Sequence, residues 1–155
     1  MAPKQLDRFD RAILAALQRN GALTHAELSA LVHLSPSQCS RRRAALEQAG
    51  VVTGYAARLS ARALGFGVRA FARVNLHSHG QGNEGSFAEF LSRLPQVRSA
   101  HSVSGDADYI LEIQVEDLDA LARFIHDQLL PHPQVAQLRS EIVLKTMKDD
   151  GGLPV

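Results

Sequence analysis

Three consecutive arginines, Arg41, Arg42 and Arg43, close the run Ser35-Pro36-Ser37-Gln38-Cys39-Ser40. A guanidinium is a rigid fork of donors that fits a phosphate or the O6/N7 edge of guanine, and a glutamine amide fits the N6/N7 edge of adenine. The same run is a helix start. Ser35 can cap it by accepting from a free backbone N–H. Pro36 loses nothing at the first helical position, and Gln38 stands three residues after the cap, where it can close a capping box. On a helical wheel Ser37, Gln38, Ser40, Arg41 and Ala44 lie away from the side marked by Cys39 and Leu46. We therefore expect Gln38 and Arg41 to read base edges in a major groove, with Ser37 and Ser40 beside them. Ser35, Arg42 and Arg43 suit phosphates, as does Arg58 further along. A solvated basic helix would share this composition; the two helices that precede it favour the reading role.

Those helices are legible from spacing. Residues 7–19 put Phe9, Ile13, Leu14 and Leu17 on one stripe, with Asp7 as cap and Asn20-Gly21 as stop. Thr24 opens a second helix, Glu27 completes a second capping box, and Leu28, Leu31 and Val32 form its apolar stripe. His33-Leu34 is a tight connection to the third helix, Pro36 to Ala49, which Gly50 ends as a left-handed cap. Val51 to Leu59 reads as two short extended pieces about Gly54, a small wing.

After Gly65 the pattern changes. Val68 to Leu76 alternates as a strand, His77 to Gly85 is a glycine-rich loop, and Ser86 to Leu94 is helical. A strand over 97–104, the turn Gly105-Asp106-Ala107-Asp108 and a strand over 109–115 make a hairpin. A helix over 117–130 and a last strand within 135–147 complete β-α-β-β-α-β, the ferredoxin-like order. The expected class is α+β: a winged helix-turn-helix over 1–59, a linker at 60–66, a ferredoxin-like domain over 67–148 and a flexible tail at 149–155.

The 155 residues are 45% apolar and 21% charged, a globular composition. The net charge of +1 hides an asymmetry: residues 1–60 hold eight Lys/Arg against four acids, and the remainder nine against twelve. A basic front and an acidic back suit a DNA-binding head on a partner-binding body, although an imbalance this small decides nothing alone. One cysteine excludes an internal disulfide and a multi-cysteine zinc site. No apolar run approaches the roughly 20 residues of a membrane span, and the N-terminus has no signal-peptide apolar region, so a soluble intracellular protein is expected.

Other chemistry is weaker. The Gly105–Asp108 run is a plain hairpin turn on one reading. On another, Gly105 admits a ligand close to the backbone, Asp106 or Asp108 pairs with its ammonium, and backbone N–H groups take its carboxylate. Ser104 and His101 are further candidates. His77-Ser78-His79 lacks a third metal ligand, so no metal is expected. Cys39 faces inward, where it packs as a small hydrophobe. The 80–85 loop lacks the Lys-Ser/Thr of a phosphate loop. Glu116, Asp117 and Asp119 flank a helix start, where the helix dipole accounts for them. No nucleophile–base pair or cofactor motif is visible, and no enzyme is expected.

Taken in order, these motifs resemble the leucine-responsive/asparagine-synthesis (Lrp/AsnC) regulator family over nearly the whole chain. The pieces are Leu6-Asp7-x-x-Asp10-x-x-Ile13-Leu14-x-x-Leu17, then Glu27-Leu28 and Leu34-Ser35-Pro36, then Cys39-x-x-Arg42 and Leu46-Glu47-x-x-Gly50-Val51-Val52-x-Gly54-Tyr55, and finally His101-x-Val103-Ser104-Gly105-Asp106-x-Asp108-Tyr109. The resemblance implies a transcription regulator that binds double-stranded DNA at a roughly palindromic operator, as a homodimer or octamer, in the cytoplasm at the nucleoid. It also implies that the back half binds a small effector, commonly an amino acid, near His101, Ser104, Gly105, Asp106 and Asp108. An effector-blind, nucleoid-like architectural protein is the alternative. One position departs from the family pattern: where such proteins usually carry an aliphatic core residue, this chain has Arg43. Its charge must run along the core rim toward DNA or an acid.

Overall fold

Three helix starts within the first 50 residues each close a capping box. At α1 (Arg8–Arg19), Asp7 Oδ1 accepts from the N–H groups of Phe9 and Asp10, both at 2.8 Å, and Asp10 reaches back to the Asp7 N–H. At α2 (His25–Val32), Glu27 N–H donates to Thr24 Oγ1 at 3.2 Å and Thr24 N–H to Glu27 Oε2 at 2.8 Å. At α3 (Pro36–Gln48), Gln38 N–H donates to Ser35 Oγ at 3.2 Å and Ser35 N–H to Gln38 Oε1 at 3.0 Å. Each cap contributes about 1 kcal/mol and fixes where its helix begins. The computed structural model describes residues 5–77, 81–149 and 152–155.

The chain divides into two units, Met1–Arg58 with Met147–Val155, and Leu59–Thr146. In the first, Ile13, Leu14, Leu17, Leu28, Val32, Cys39 and Leu46 bury together and fasten the three helices. Burial also pushes the Cys39 thiol up, which keeps it protonated and inert. Leu31, expected inward, is 59% exposed. The turn His33–Ser35 gives α2 and α3 their separate directions, with His33 left-handed at φ 56°. Gly50 is left-handed at φ 67°, as a helix end demands, and the N–H groups of Val51 and Val52 both donate to the Leu46 carbonyl.

The wing expected at 51–59 has no strand pairing. Tyr55 instead turns back on α3, where its hydroxyl donates to Glu47 Oε1 at 2.8 Å. The C-terminal residues, expected as a loose tail, group with this first unit, and Leu153 exchanges backbone hydrogen bonds with the Gln18 side chain.

The capping carboxylates give this unit an acid limit. Asp7 is held below the ordinary aspartate value of 3.8, chiefly by the Asp10 N–H and also by the Arg42 guanidinium. Glu27 is lowered from 4.5, chiefly by the Thr24 N–H. Both folded-state values are depressed, so their stabilisation is present above the unfolded values and is lost as pH falls through the folded ones. We expect the protection of α1 and α2 amides against exchange to hold from neutral pH down to about pH 4.5 and to fall below it. A protection factor that stayed constant as the pH fell well below 4.5 would contradict the assignment.

The second unit follows the expected order: β1 (Val68–Leu76), α4 (Gln81–Ser92), β2 (Val97–Ser102), β3 (Tyr109–Val115), α5 (Leu118–Phe124, continued by a π turn over Ile125–Leu129) and β4 (Val135–Ile142). The sheet runs β2-β3-β1-β4, with every pair antiparallel. Ala70, Ala72 and Val74 of β1 and Leu111, Ile113 and Val115 of β3 point to one face, where they bury against Phe87, Leu91, Leu121, Phe124 and Leu129. Fully burying Phe87 alone contributes about 2–3 kcal/mol. His132, expected as a loop residue, lies against the Phe90 ring at 4.2 Å between centroids.

Two boundaries differ from expectation. The glycine-rich stretch is helical from Gln81, because the burial of Phe87 and Leu91 overrides the poor propensity of Gly82 and Gly85. β2 ends at Ser102. β4 ends at Ile142, opposite Ala70 and within the expected span; Val143 N–H still donates to the Arg69 carbonyl at 2.9 Å, and Leu144 beyond is 95% exposed. Ser78 and His79 of the histidine pair lie outside the described residues. Among the described residues no helix is long and apolar enough to cross a membrane, and no three His, Cys, Asp or Glu gather as a metal site.

Candidate nucleic-acid interface and effector cleft

The three arginines of α3 have three different surroundings. Arg42 Nη1 donates to Asp7 Oδ2 and to Asp10 Oδ1, both at 2.8 Å. Asp10 is the one buried charged residue among those described, at 8% exposure, so this is a clamp between the start of α1 and the middle of α3. Arg43 runs along the core rim to an acid, as its spacing required. Its Nε donates to Glu47 Oε1 and its Nη1 to the Leu23 carbonyl, both at 3.1 Å, and it lies 4.5 Å over the Tyr55 ring. Arg41 is exposed and has no ion pair among the described residues. Together with Ser37, Ala44 and Gln48 it forms an exposed strip at helical spacing.

The polar candidates at the helix start are partly committed. Gln38 Oε1 accepts from both the backbone and the hydroxyl of Ser35, which leaves only its NH₂ group for a base. Ser35 and Ser37 hydroxyls stand 3.1 Å apart, and Ser40 is half-buried. Arg58 makes a solvent-exposed pair with Asp149 at 3.4 Å, a contact weak enough to yield to a phosphate.

In the second unit the Gly105–Asp108 turn is stapled to β1. Asp108 Oδ2 accepts from Leu76 N–H at 2.8 Å, Asp108 N–H donates to Asn75 Oδ1 at 3.0 Å and to the Val74 carbonyl, and Asn75 Nδ2 donates to the Asp106 carbonyl at 3.1 Å. Asp108 therefore holds the loop, and the exposed Asp106 faces a cleft. Gly105, at φ 147°, supplies a backbone angle that side chains rarely adopt. We expect Asp108→Ala to cost about 1–2 kcal/mol of stability in this unit and Asp108→Asn less, since an amide oxygen still accepts. Urea midpoints for the two variants that fell together on the unaltered chain would refute the staple.

The cleft, of about 560 Å³, is lined by Asp106 and Ala107 of the turn, Arg73 and Asn75 of β1, and Gln137, Arg139 and Glu141 of β4. Arg73 and Arg139 are direct cross-strand partners. Glu141 pairs with Arg73 at 3.1 Å, while Arg139 has no ion pair among the described residues. His101 lies in the same row across the sheet, through Ile110, yet does not line the cleft; neither does Ser104. Sequence reasoning missed Arg73, Arg139 and Glu141. Their signal was the outward half of the strand alternation, which identifies a face but not what meets on it.

A tri-helical head with an exposed arginine strip, joined to a ferredoxin-like body with a polar cleft, defines a two-part DNA-binding regulator. The comparisons agree. The Lrp/AsnC ligand binding domain profile matches residues 69–153, and a winged helix-turn-helix DNA-binding profile matches residues 6–53. The leucine-responsive regulatory protein of Rhizobium meliloti (strain 1021) is 37% identical over 94% of this chain and 93% of its own length. The transcriptional regulator AzlB of Bacillus subtilis (strain 168) is 32% identical over 97% of this chain and 96% of its own. Among solved structures, the transcriptional regulator NMB0573 of Neisseria meningitidis, in complex with L-Met, superposes with a TM-score of 0.92 at 41% identity, covering 97% of each chain. This chain belongs to the Lrp/AsnC family of DNA-binding transcription regulators.

Proposed function

We propose that the chain regulates transcription by reading an operator with the Ser37–Arg41–Ala44 strip of α3, and that an amino acid bound in the Asp106 cleft tunes that reading. The observation that carries the first half is the division of labour among the arginines: two are held by the protein's own acids, and Arg41 alone faces outward. No described residue pairs with its fork, which leaves it for a guanine edge, with Ser37 one turn away for a phosphate. Arg58 adds a phosphate contact. Two such heads on a homodimer, or on a larger assembly of dimers, would meet successive major grooves of a roughly palindromic site.

For the second half, Arg73 and Arg139 stand directly opposite each other, an arrangement that costs stability unless something compensates. A carboxylate laid on Arg139 would compensate it, and the Asp106 carboxylate would take an ammonium. The cleft thus has the two signs of a zwitterion, and the L-Met complex of the meningococcal relative supports that ligand class. The locations expected are the cytoplasm and nucleoid. Calorimetry with L-methionine and L-leucine tests the effector reading: heat is expected with the unaltered chain and is lost in Arg139→Ala. Absence of heat with every amino acid would favour the effector-blind architectural role, and equal heat in Arg139→Ala would move the ligand elsewhere.

A further inference from the structure

The chain passes from the first unit to the second at Arg58–Leu59 and returns at Thr146–Met147, so its end belongs to the DNA-reading unit. What waits for it there is specific. Gln18, exposed near the end of α1, uses both atoms of its side-chain amide on one residue: Nε2 donates to the Leu153 carbonyl at 2.9 Å, and Oε1 accepts from the Leu153 N–H at 2.6 Å. That is the pairing a neighbouring strand would offer, made by a side chain. Gly152 is left-handed at φ 79°, and a Cβ there would lie 2.5 Å from Gln18 Oε1. The close approach thus needs a residue with no side chain, at an angle that only such a residue takes readily. Arg58 faces Asp149, an exposed pair that steers more than it holds. The docked end borders a cleft of about 870 Å³ between the end of α1 and residues 54–58.

We propose that the C-terminal residues are a docking strap: Gln18 captures the Leu153 backbone on α1, and this second attachment restricts the DNA-reading unit so that two units grip one operator more tightly. Without the docked end, the reading unit is joined to the rest of the chain at Arg58–Leu59 alone. With the strap seated it is held at two points along the chain, and less orientational freedom is lost when both heads of a dimer engage DNA. The strap rests on the two-headed reading proposed above. It acts on the cost of double engagement and makes no contact with DNA.

The test uses the full chain with Gly152→Val and, separately, Gln18→Leu. Neither change touches the three-helix core, and leucine keeps the helix propensity of α1. NMR amide exchange of Leu153 reports docking. Affinities for duplexes carrying one or two copies of a half-site, recovered by selection on the unaltered chain, report the consequence. Expected are a protected Leu153 N–H in the unaltered chain, loss of that protection in both variants, and about ten-fold weaker binding to the two-site duplex with unchanged binding to the one-site duplex. A Leu153 N–H that exchanges freely in the unaltered chain would overturn the strap. So would loss of protection with two-site affinity unchanged. If the unaltered chain binds both duplexes equally, the two-headed reading is what fails, and docking is then judged by Leu153 protection and its loss in Gly152→Val.

Discussion

Replacing Arg42 by alanine should destabilise the DNA-reading unit by about 2–3 kcal/mol. The loss follows from what remains behind. Asp10 is 8% exposed, and Arg42 is the cation that meets its carboxylate, at 2.8 Å. Without the guanidinium, a carboxylate is left in a buried site with its cation gone, and an unpaired buried charge costs more than a surface pair returns. The effect belongs to the contact between α1 and α3, so amide exchange in those helices should report it. Removing both partners, as Asp10→Leu with Arg42→Met, should recover much of the stability, because an apolar pair of similar size has no charge to strand. If Arg42→Ala instead left the unfolding midpoint in place and weakened DNA binding uniformly, Arg42 would be the phosphate contact first expected from its position.

Arg41→Ala should do the reverse. Stability should barely move, since the side chain is exposed and has no ion pair among the described residues, while operator affinity falls by roughly 1–3 kcal/mol, about five- to 150-fold, with relaxed selectivity at one base position. Gln38→Ala gives the contrast. Its amide oxygen already serves the Ser35 cap, so its loss should appear as about 1 kcal/mol of α3 stability more than as a change in base preference. Anisotropy titrations against an operator and its single-base variants separate the three. Arg41→Ala with wild-type affinity on every variant would remove α3 from the groove.

The position of Arg43 shows both the reach and the limit of spacing. Four residues after Cys39, it had to face the core side, and a charge there had to find a way out along the rim. It does, but the sequence could not choose between DNA and an acid. That choice depended on Glu47 one turn on and on Tyr55, whose ring folds back over the guanidinium once the expected wing fails to pair. The effector turn divides the same way. Gly105 and the two aspartates marked the loop, whereas only the β1–β3 register brings Asn75 and the Leu76 N–H against it and so assigns Asp108 to structure and Asp106 to the cleft.

Local chemistry was therefore decided by the sequence alone. The helix caps at Asp7, Thr24 and Ser35, the glycine helix end at Gly50, the strand alternation from Val68 and the β-α-β-β-α-β order all rest on contacts within a few residues or on periodicity, and both are written in the linear order. The roles of the charged side chains were settled only by the tertiary structure. Whether an arginine reaches toward DNA, clamps a buried aspartate or faces a second arginine across a sheet depends on residues 30 to 70 positions away, as Asp10 is from Arg42 and Arg139 from Arg73. An ionic contact carries no periodicity, so its partner becomes visible only when the chain has folded.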